Sequence, residues 1–305
     1  MSVKSRYPRL KPRGRVLNRI VRRRPIVLAA LLAVVFSVLA FRAGAGDITV
    51  KGSDTLVILA QKWAEVYMSN HPAVKIQVTG GGSGVGFAAL ENRGTDIADA
   101  SRRIKPKEKE ACIKAFGKVP KEYMVAIDGL SIYVNNDNPV KVLTVAQLKE
   151  IFTGKAKNWK EIGGKDAPIT LYSRENSSGT YDFFKEHVLN GQDFDARAQT
   201  MQGTAALLQA VGKDPNGIGY GGAAYGAGAR ALAIKKTDDA EPVRPTEQTV
   251  LDRSYPIWRY LYNYVNPELD KGEIHDYLNW IRTDDGQRIV KEIGYYPLPA
   301  ELREK

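Results

Sequence analysis

Leu171-Tyr172-Ser173-Arg174-Glu175-Asn176-Ser177-Ser178-Gly179-Thr180-Tyr181-Asp182-Phe183-Phe184 reads as a short strand, a polar loop carrying one arginine, and the first turn of a helix. Ser178, Gly179 and Thr180 stand where that helix begins, so their backbone N–H groups have no carbonyl one turn back to bond. Small residues, two hydroxyls and a nearby guanidinium at a helix start suit a phosphate-like oxyanion. Ser and Thr are also ordinary N-cap residues. The stretch by itself therefore leaves plain capping and anion binding both open.

Outward from it, the chain from Asp47 alternates strand and helix, which favours an α/β fold with mainly parallel sheets. Ile48-Thr49-Val50 is a strand, Gly52-Ser53-Asp54-Thr55 a loop, and Leu56 to Ser69 a helix with Trp63 and Tyr67 on its core face. Val74, Ile76 and Val78 alternate as a second strand, followed by the glycine turn Gly80 to Gly86 with Ser83 inside it. The turn lacks the Gly-Lys-Ser/Thr ending of a nucleotide-binding P-loop. It reads as a tight turn needing unusual backbone angles, or as one whose amides approach an anion closely. Ile97 to Ala100 is a third strand with Ser101-Arg102 at its end, and Lys105 to Phe116 a charged surface helix. Val125 to Val134 reads as one long apolar strand, Thr144 and Gln147 as a capping box, Tyr255 to Val265 as an aromatic strand, and Ile274 to Ile293 as helix. The two long strands could each cross between lobes.

The formal net charge of +11 invites a nucleic-acid reading, but its distribution opposes one. Eleven of the 45 Lys and Arg fall in residues 1–45, at Lys4, Arg6, Arg9, Lys11, Arg13, Arg15, Arg19, Arg22, Arg23, Arg24 and Arg42, with no acidic residue among them. The remaining 34 match the 34 Asp and Glu, so the body has no general attraction for a polyanion. Residues 1–45 have the parts of an export signal: a basic start, an apolar run from Pro25 to Phe41, and Ala43-Gly44-Ala45 as a cleavage pattern. The body is expected outside the cytoplasm, free if the leader is cleaved and anchored if it is not. Cys112 has no cysteine partner and reads as a packing residue.

Catalysis gains little support. His71, His187 and His275 have no metal-ligand spacing, and Ser178 lacks both a Gly-x-Ser-x-Gly elbow and a histidine partner. No metal or cofactor is expected. What recurs is a helix start carrying hydroxyls, at Ser53/Thr55, at Ser83 and at Ser178/Thr180. Three such starts converging in a cleft would encase a small tetrahedral anion, with Arg174 neutralising its charge.

Gly52-Ser53-Asp54-Thr55-Leu56, Gly80 to Leu90, Ala100-Ser101-Arg102, Ile151-Phe152-Thr153-Gly154 with Asn158-Trp159, and Arg174 to Phe184 occur in that order. The set resembles the periplasmic phosphate-binding protein family of the high-affinity phosphate ABC transporter. Gly217 to Tyr220 and Tyr296-Pro297-Leu298 extend the likeness over nearly all of residues 47–300. The resemblance implies a type II periplasmic-binding-protein fold: two α/β lobes joined by two crossing strands, with ligand between them. It implies no enzyme, but an exported, monomeric receptor that captures inorganic phosphate and delivers it to a membrane ABC permease. Lobe 1 is expected over 46–130 and 255–305, and lobe 2 over 131–254.

Carried over by position, the family's ligand groups fall on Ser53, Asp54, Thr55, Ser83, Arg174, Ser178, Gly179 and Thr180. Well-known members have an aspartate after the serine of the third strand, accepting the proton of hydrogen phosphate; here Arg102 takes that place. Such a carboxylate rejects fully ionised sulfate, since two acceptors would face each other without a proton. Either Asp54 or another carboxylate replaces it, or Arg102 is a second anion clamp. Another oxyanion (sulfate, molybdate or tungstate) fits the same architecture, and an exported phosphatase-like enzyme using Ser178 or Thr180 is a further alternative.

Overall fold

The computed structural model describes residues 47–226 and 228–303. The leader, with the export and cleavage expectations placed on it, lies outside the described residues. Lobe 1 opens with β1 (Asp47–Gly52), α1 (Val57–Asn70), β2 (Lys75–Thr79), α2 (Ser83–Glu91), β3 (Ile97–Ala100), α3 (Pro106–Phe116) and β4 (Lys121–Gly129). Lobe 2 follows with β5 (Ser131–Val134), β6 (Val142–Thr144), α4 (Val145–Phe152), β7 (Thr170–Arg174), α5 (Gly179–His187), β8 (Gln199–Met201), α6 (Thr204–Lys213), β9 (Gly217–Gly221), β10 (Arg230–Ala231), β11 (Ala233–Lys235) and α7 (Glu247–Leu251). The chain then returns to lobe 1 as β12 (Trp258–Val265), and ends in α8 (Gly272–Trp280), α9 (Asp284–Ile293) and α10 (Ala300–Arg303).

One sheet has the order β2-β1-β3-β12-β4 and the other β10-β5-β9-β7-β8, with β6 and β11 forming a small separate pair. In the first, β1 is parallel to β2 and β3, while β12 is antiparallel to both its neighbours. In the second, β7 is parallel to β8 and β9, while β5 is antiparallel to both its neighbours. The reversed strand of each sheet is the one by which the chain arrives from the other lobe. A chain entering at the cleft must run away from it, whereas the parallel strands run toward it. The carboxyl ends of the parallel strands from both sheets thus meet at one cleft, the place where open α/β sheets bind ligands.

The stretch Val125–Val134, read from sequence as one strand, is divided at Leu130 between the two sheets. The Leu130 N–H donates to the Ile257 carbonyl at 2.8 Å, and the Tyr255 hydroxyl donates to the Leu130 carbonyl at 2.8 Å. The two crossings are therefore pinned to each other. The helix expected over Ile274–Ile293 is likewise two, α8 and α9. Thr283 caps the second with Asp284 and Asp285 in its first turn, and the buried Gln287 amide donates to the Ile281 carbonyl that the break leaves over.

Each sheet is covered on both faces. Trp63 and Tyr67 of α1 pack with Tyr277, Leu278, Ile281, Ile289 and Val290 against one face of the first sheet, while Phe87, Leu90, Cys112 and Phe116 cover the other. Trp159, Phe152 and Phe184 fill one face of the second sheet, and Leu207, Leu208 and Val211 of α6 the other. Cys112 is fully buried, and burial pushes its thiol up to about 11, as suits a packing residue.

Candidate functional site

Five loops leave the carboxyl ends of parallel strands and converge. They follow β1 (Ser53 to Leu56), β2 (Gly80 to Gly82), β3 (Ser101 and Arg102), β7 (Glu175 to Ser178) and β8 (up to Thr204). Thr180 stands at their meeting point, 1% exposed. Its Oγ1 lies 2.8 Å from Thr55 Oγ1 and 3.4 Å from Ser101 Oγ, both across the cleft. Ser101 in turn donates its N–H to Ser83 Oγ at 3.0 Å. Four hydroxyl side chains from four separate loops thus form one buried cluster.

Two glycines permit this approach. A Cβ on Gly179 would lie 2.2 Å from Ser83 Oγ and 2.8 Å from Ser101 Oγ, so α5 could not reach the opposite lobe. Gly82 has φ +93°, and a Cβ there would lie 2.4 Å from the Ser177 carbonyl oxygen. With Gly82 bare, the neighbouring Gly84 N–H donates to that same carbonyl at 2.9 Å across the cleft. The glycine turn therefore serves close approach as well as unusual backbone angles.

Ser178 is the N-cap of α5, its Oγ accepting from the N–H groups of Thr180 at 3.2 Å and Tyr181 at 3.3 Å. Capping uses the oxygen's lone pairs and leaves the hydroxyl proton available as a donor. Ser53 is buried and donates its N–H to the Asp99 carbonyl at 2.9 Å, which ties the first loop to β3. The same loop is held from two further sides: Tyr295 donates to the Thr55 carbonyl, and Tyr225 of lobe 2 to the Asp54 carbonyl, each at 2.6 Å.

Arg174 is 2% exposed. Its guanidinium donates to Asp54 Oδ2 at 2.7 Å, Thr204 Oγ1 at 2.8 Å, Glu175 Oε1 at 2.8 Å and Glu175 Oε2 at 3.1 Å. The buried Tyr220 hydroxyl accepts the Arg174 N–H at 3.3 Å and bonds Ser173 Oγ at 2.9 Å, which steadies the end of β7. Burial alone would raise the Glu175 carboxyl, but Arg174's hydrogen bonds and charge outweigh it and hold it below its ordinary value. Asp54 spans the cleft edge, with Oδ1 accepting the Gly81 N–H at 2.9 Å and Oδ2 accepting from Arg174.

Arg102 is held mainly by carboxylates. Its Nη atoms meet Glu108 in a two-toothed pair at 2.7 and 2.8 Å, Nη1 also donates to the Arg103 carbonyl, and Nε donates to Asp182 Oδ2 at 2.8 Å. Most of its donors go to carboxylates because Glu108, in the first turn of α3, lies within reach of a β3-end side chain.

Besides Ser101, three groups of the site lie outside the ligand positions expected from the sequence. Arg259 of β12 bonds Asp128 Oδ2 through Nε at 3.0 Å and Nη2 at 2.8 Å, and reaches Thr180 Oγ1 at 3.1 Å and the Ser101 carbonyl at 3.0 Å. Asp128 of β4 is its register partner and also accepts the Ala223 N–H from lobe 2 at 3.0 Å. Thr204, at the start of α6, is the third. One signal was present: each long apolar strand carries a lone charge of opposite sign, and buried charges come in pairs. Each site guanidinium is matched by at least one carboxylate. What the cluster would offer an anion is therefore hydroxyl and N–H donors more than net positive charge. Among the described residues, no group of three or more His, Cys, Asp or Glu could hold a metal ion.

Comparison with known proteins gives a consistent picture. The PBP superfamily domain model matches residues 40–285. The phosphate-binding protein PstS of Pseudomonas aeruginosa is 36% identical over 277 residues, covering 85% of this chain and 85% of that protein. PstS of Bacillus subtilis is 34% identical over 254 residues, covering 83% and 81%. Among solved structures, a putative phosphate ABC transporter substrate-binding protein from Clostridium perfringens with bound phosphate superposes with a TM-score of 0.76 at 31% identity, over 83% of this chain and all of that one. With the two-lobe fold, the convergent strand ends and these relatives together, the chain belongs to the PstS-type family of phosphate ABC transporter substrate-binding proteins.

Proposed function

We propose that this protein is an exported receptor that binds inorganic phosphate between its lobes and delivers it to an ABC permease. The observation that carries this reading is the buried hydroxyl cluster of Thr55, Ser83, Ser101 and Thr180, built by loops of both lobes at the carboxyl ends of parallel strands. Small neutral donors arranged around one point suit a tetrahedral oxyanion, and the Gly179 N–H at the start of α5 adds the positive end of a helix. The ligand set is Ser53, Asp54, Thr55, Ser83, Arg174, Ser178, Gly179 and Thr180, with Ser101 and Arg259 added from the geometry.

The proton acceptor that distinguishes hydrogen phosphate from sulfate is Asp54. Each of its oxygens already accepts one hydrogen bond, and a carboxylate oxygen has capacity for a second. Arg102, engaged by Glu108 and Asp182, is left out of the ligand set. The protein works as a monomer without catalysis: Ser178 Oγ is occupied as an N-cap, and a receptor must release its ligand unchanged. Calorimetric titration of the purified protein with phosphate and with sulfate tests the reading. Saturable binding of phosphate with sulfate at least a hundredfold weaker is expected. Absence of phosphate binding at millimolar concentration would refute it.

A further inference from the structure

We propose that Arg102 and Lys105 form an electrostatic latch that catches Asp182 when the lobes close and so slows ligand release without touching the ligand. Asp182 stands in the first turn of α5 on lobe 2, with its side chain 12% exposed. Its Oδ2 accepts Arg102 Nε at 2.8 Å and lies 2.7 Å from Lys105 Nζ, both on lobe 1. Asp182 therefore leaves both cations whenever the cleft opens.

The lobe 1 half of the latch is built in advance. Glu108 clamps the Arg102 guanidinium through two parallel hydrogen bonds, a geometry that fixes orientation as well as charge. Glu108 Oε2 also accepts the Lys105 N–H at 2.8 Å as part of the α3 capping box, so the same carboxylate sets both cations. The Phe87 ring lies 5.2 Å beneath the guanidinium and closes its other face. Arg102 needs no rearrangement to receive Asp182, so little rotamer freedom is lost when the contact forms. These contacts belong to lobe 1 alone and persist in an open form, whereas the Asp182 contacts exist only in a closed one. A contact present in one of two states shifts their balance by its whole free energy. Being present after closure and absent at encounter, it acts on release and not on capture.

The proposal rests on the oxyanion-receptor reading above and gives Arg102 a positioning role in it. It also predicts a sign opposite to that of simple electrostatics. Removing a carboxylate beside an anion site should tighten anion binding by Coulomb's law. Removing half of a latch should loosen it.

The test is stopped-flow measurement of phosphate association and dissociation for wild type, Asp182→Asn, Arg102→Gln and the double variant. For Asp182→Asn, dissociation should quicken roughly tenfold, the scale of one partly buried charge-assisted hydrogen bond, with association within about twofold of wild type. The phosphate-to-sulfate preference should not change, since no latch atom is a ligand group. Arg102→Gln should quicken release less than Asp182→Asn, because Lys105 still holds Asp182, and the double variant should be no faster than Asp182→Asn, which already breaks both contacts. Wild-type release should quicken with added salt more steeply than that of Asp182→Asn. Four results would overturn the latch: slower release in Asp182→Asn, unchanged release, an altered ligand preference, or additive effects in the double variant. Wild type that binds no phosphate would refute phosphate as the ligand and not the latch; release is then followed with whichever of sulfate, molybdate or tungstate binds, and the same four outcomes apply.

Discussion

Asp54→Asn is the substitution that asks most of the proposed site. It keeps side-chain volume and replaces Oδ2 by an amide group, while the remaining carbonyl oxygen can still accept the Gly81 N–H now held at 2.9 Å. Two things follow at the other atom. The Arg174 Nη2–H, which now donates to Oδ2 at 2.7 Å, would face another donor. The proton of hydrogen phosphate would find no acceptor. A hydrogen bond to a charged group contributes about 1.5–3 kcal/mol, so phosphate affinity should fall roughly 10- to 150-fold. Sulfate has no proton to offer, and its oxygen now meets a donor in place of a carboxylate. Relief of that facing pair of acceptors is worth a further ~1–3 kcal/mol to sulfate. The phosphate-to-sulfate preference should therefore drop by about two to four orders of magnitude, most of it a change in ratio and not a loss of all binding. Glu175 still pairs with Arg174 through both oxygens, so the fold should lose only about 1–3 kcal/mol. Paired calorimetric titrations with phosphate and sulfate, beside a thermal melt, give both quantities. A preference within threefold of wild type would show that Asp54 is not the selector.

Gly179→Ala should abolish tight binding, by a hundredfold or more, while the melting temperature stays within a few degrees, because its Cβ strikes Ser83 and Ser101 only when the lobes meet; unimpaired phosphate titration would contradict the closed geometry. Arg174→Lys keeps the charge but loses the fork that reaches Asp54, Thr204 and Glu175 together, so affinity should fall by about 10²-fold, the scale of two charge-assisted hydrogen bonds, as read by calorimetry. Asp99 is fully buried and burial pushes its carboxyl up to about 7 from an ordinary 3.8, with the Asn263 amide as its partner. A carboxyl raised on folding binds its proton more tightly in the native state, so its contribution to stability is present at low pH and is lost as pH rises from about 4 to 7. Asp99→Asn should accordingly be more stable than wild type at pH 8, by at most ~4 kcal/mol, and melt higher there, with the advantage gone near pH 4. Equal melting at pH 8 would show that Asp99 stays charged at no cost.

Several features were readable from local sequence because local chemistry specifies them. The alternation of strand and helix, the Thr144/Gln147 capping box, the Ser178 helix start and the core faces of Trp63 and Tyr67 each follow from residues within one or two turns of each other. The limits of local reading are equally specific. Val125–Val134 looks uniformly apolar, and only the pairing of Leu130 with Ile257 from the far end of the chain divides it between two sheets. Arg102 follows Ser101, and its sequence position alone leaves open whether it clamps an anion there. A strand end can aim successive side chains in opposite directions, and Glu108 decides which way this guanidinium goes.

What the sequence by itself determined is the set of parts: two alternating α/β runs, glycine turns and helix starts bearing hydroxyls, one arginine beside the last of them, and a family likeness carried by their order. What only the tertiary structure decided is which parts meet. Thr55, Ser83, Ser101, Thr180 and Arg259 are brought within hydrogen-bonding distance across separations of up to 204 residues, and no local pattern encodes that. The physical reason is that strand direction, set by where the chain enters each sheet, aims every carboxyl end at one cleft. There the buried charges are paired, Arg259 with Asp128 and Arg174 with Asp54 and Glu175, beside the hydroxyl cluster.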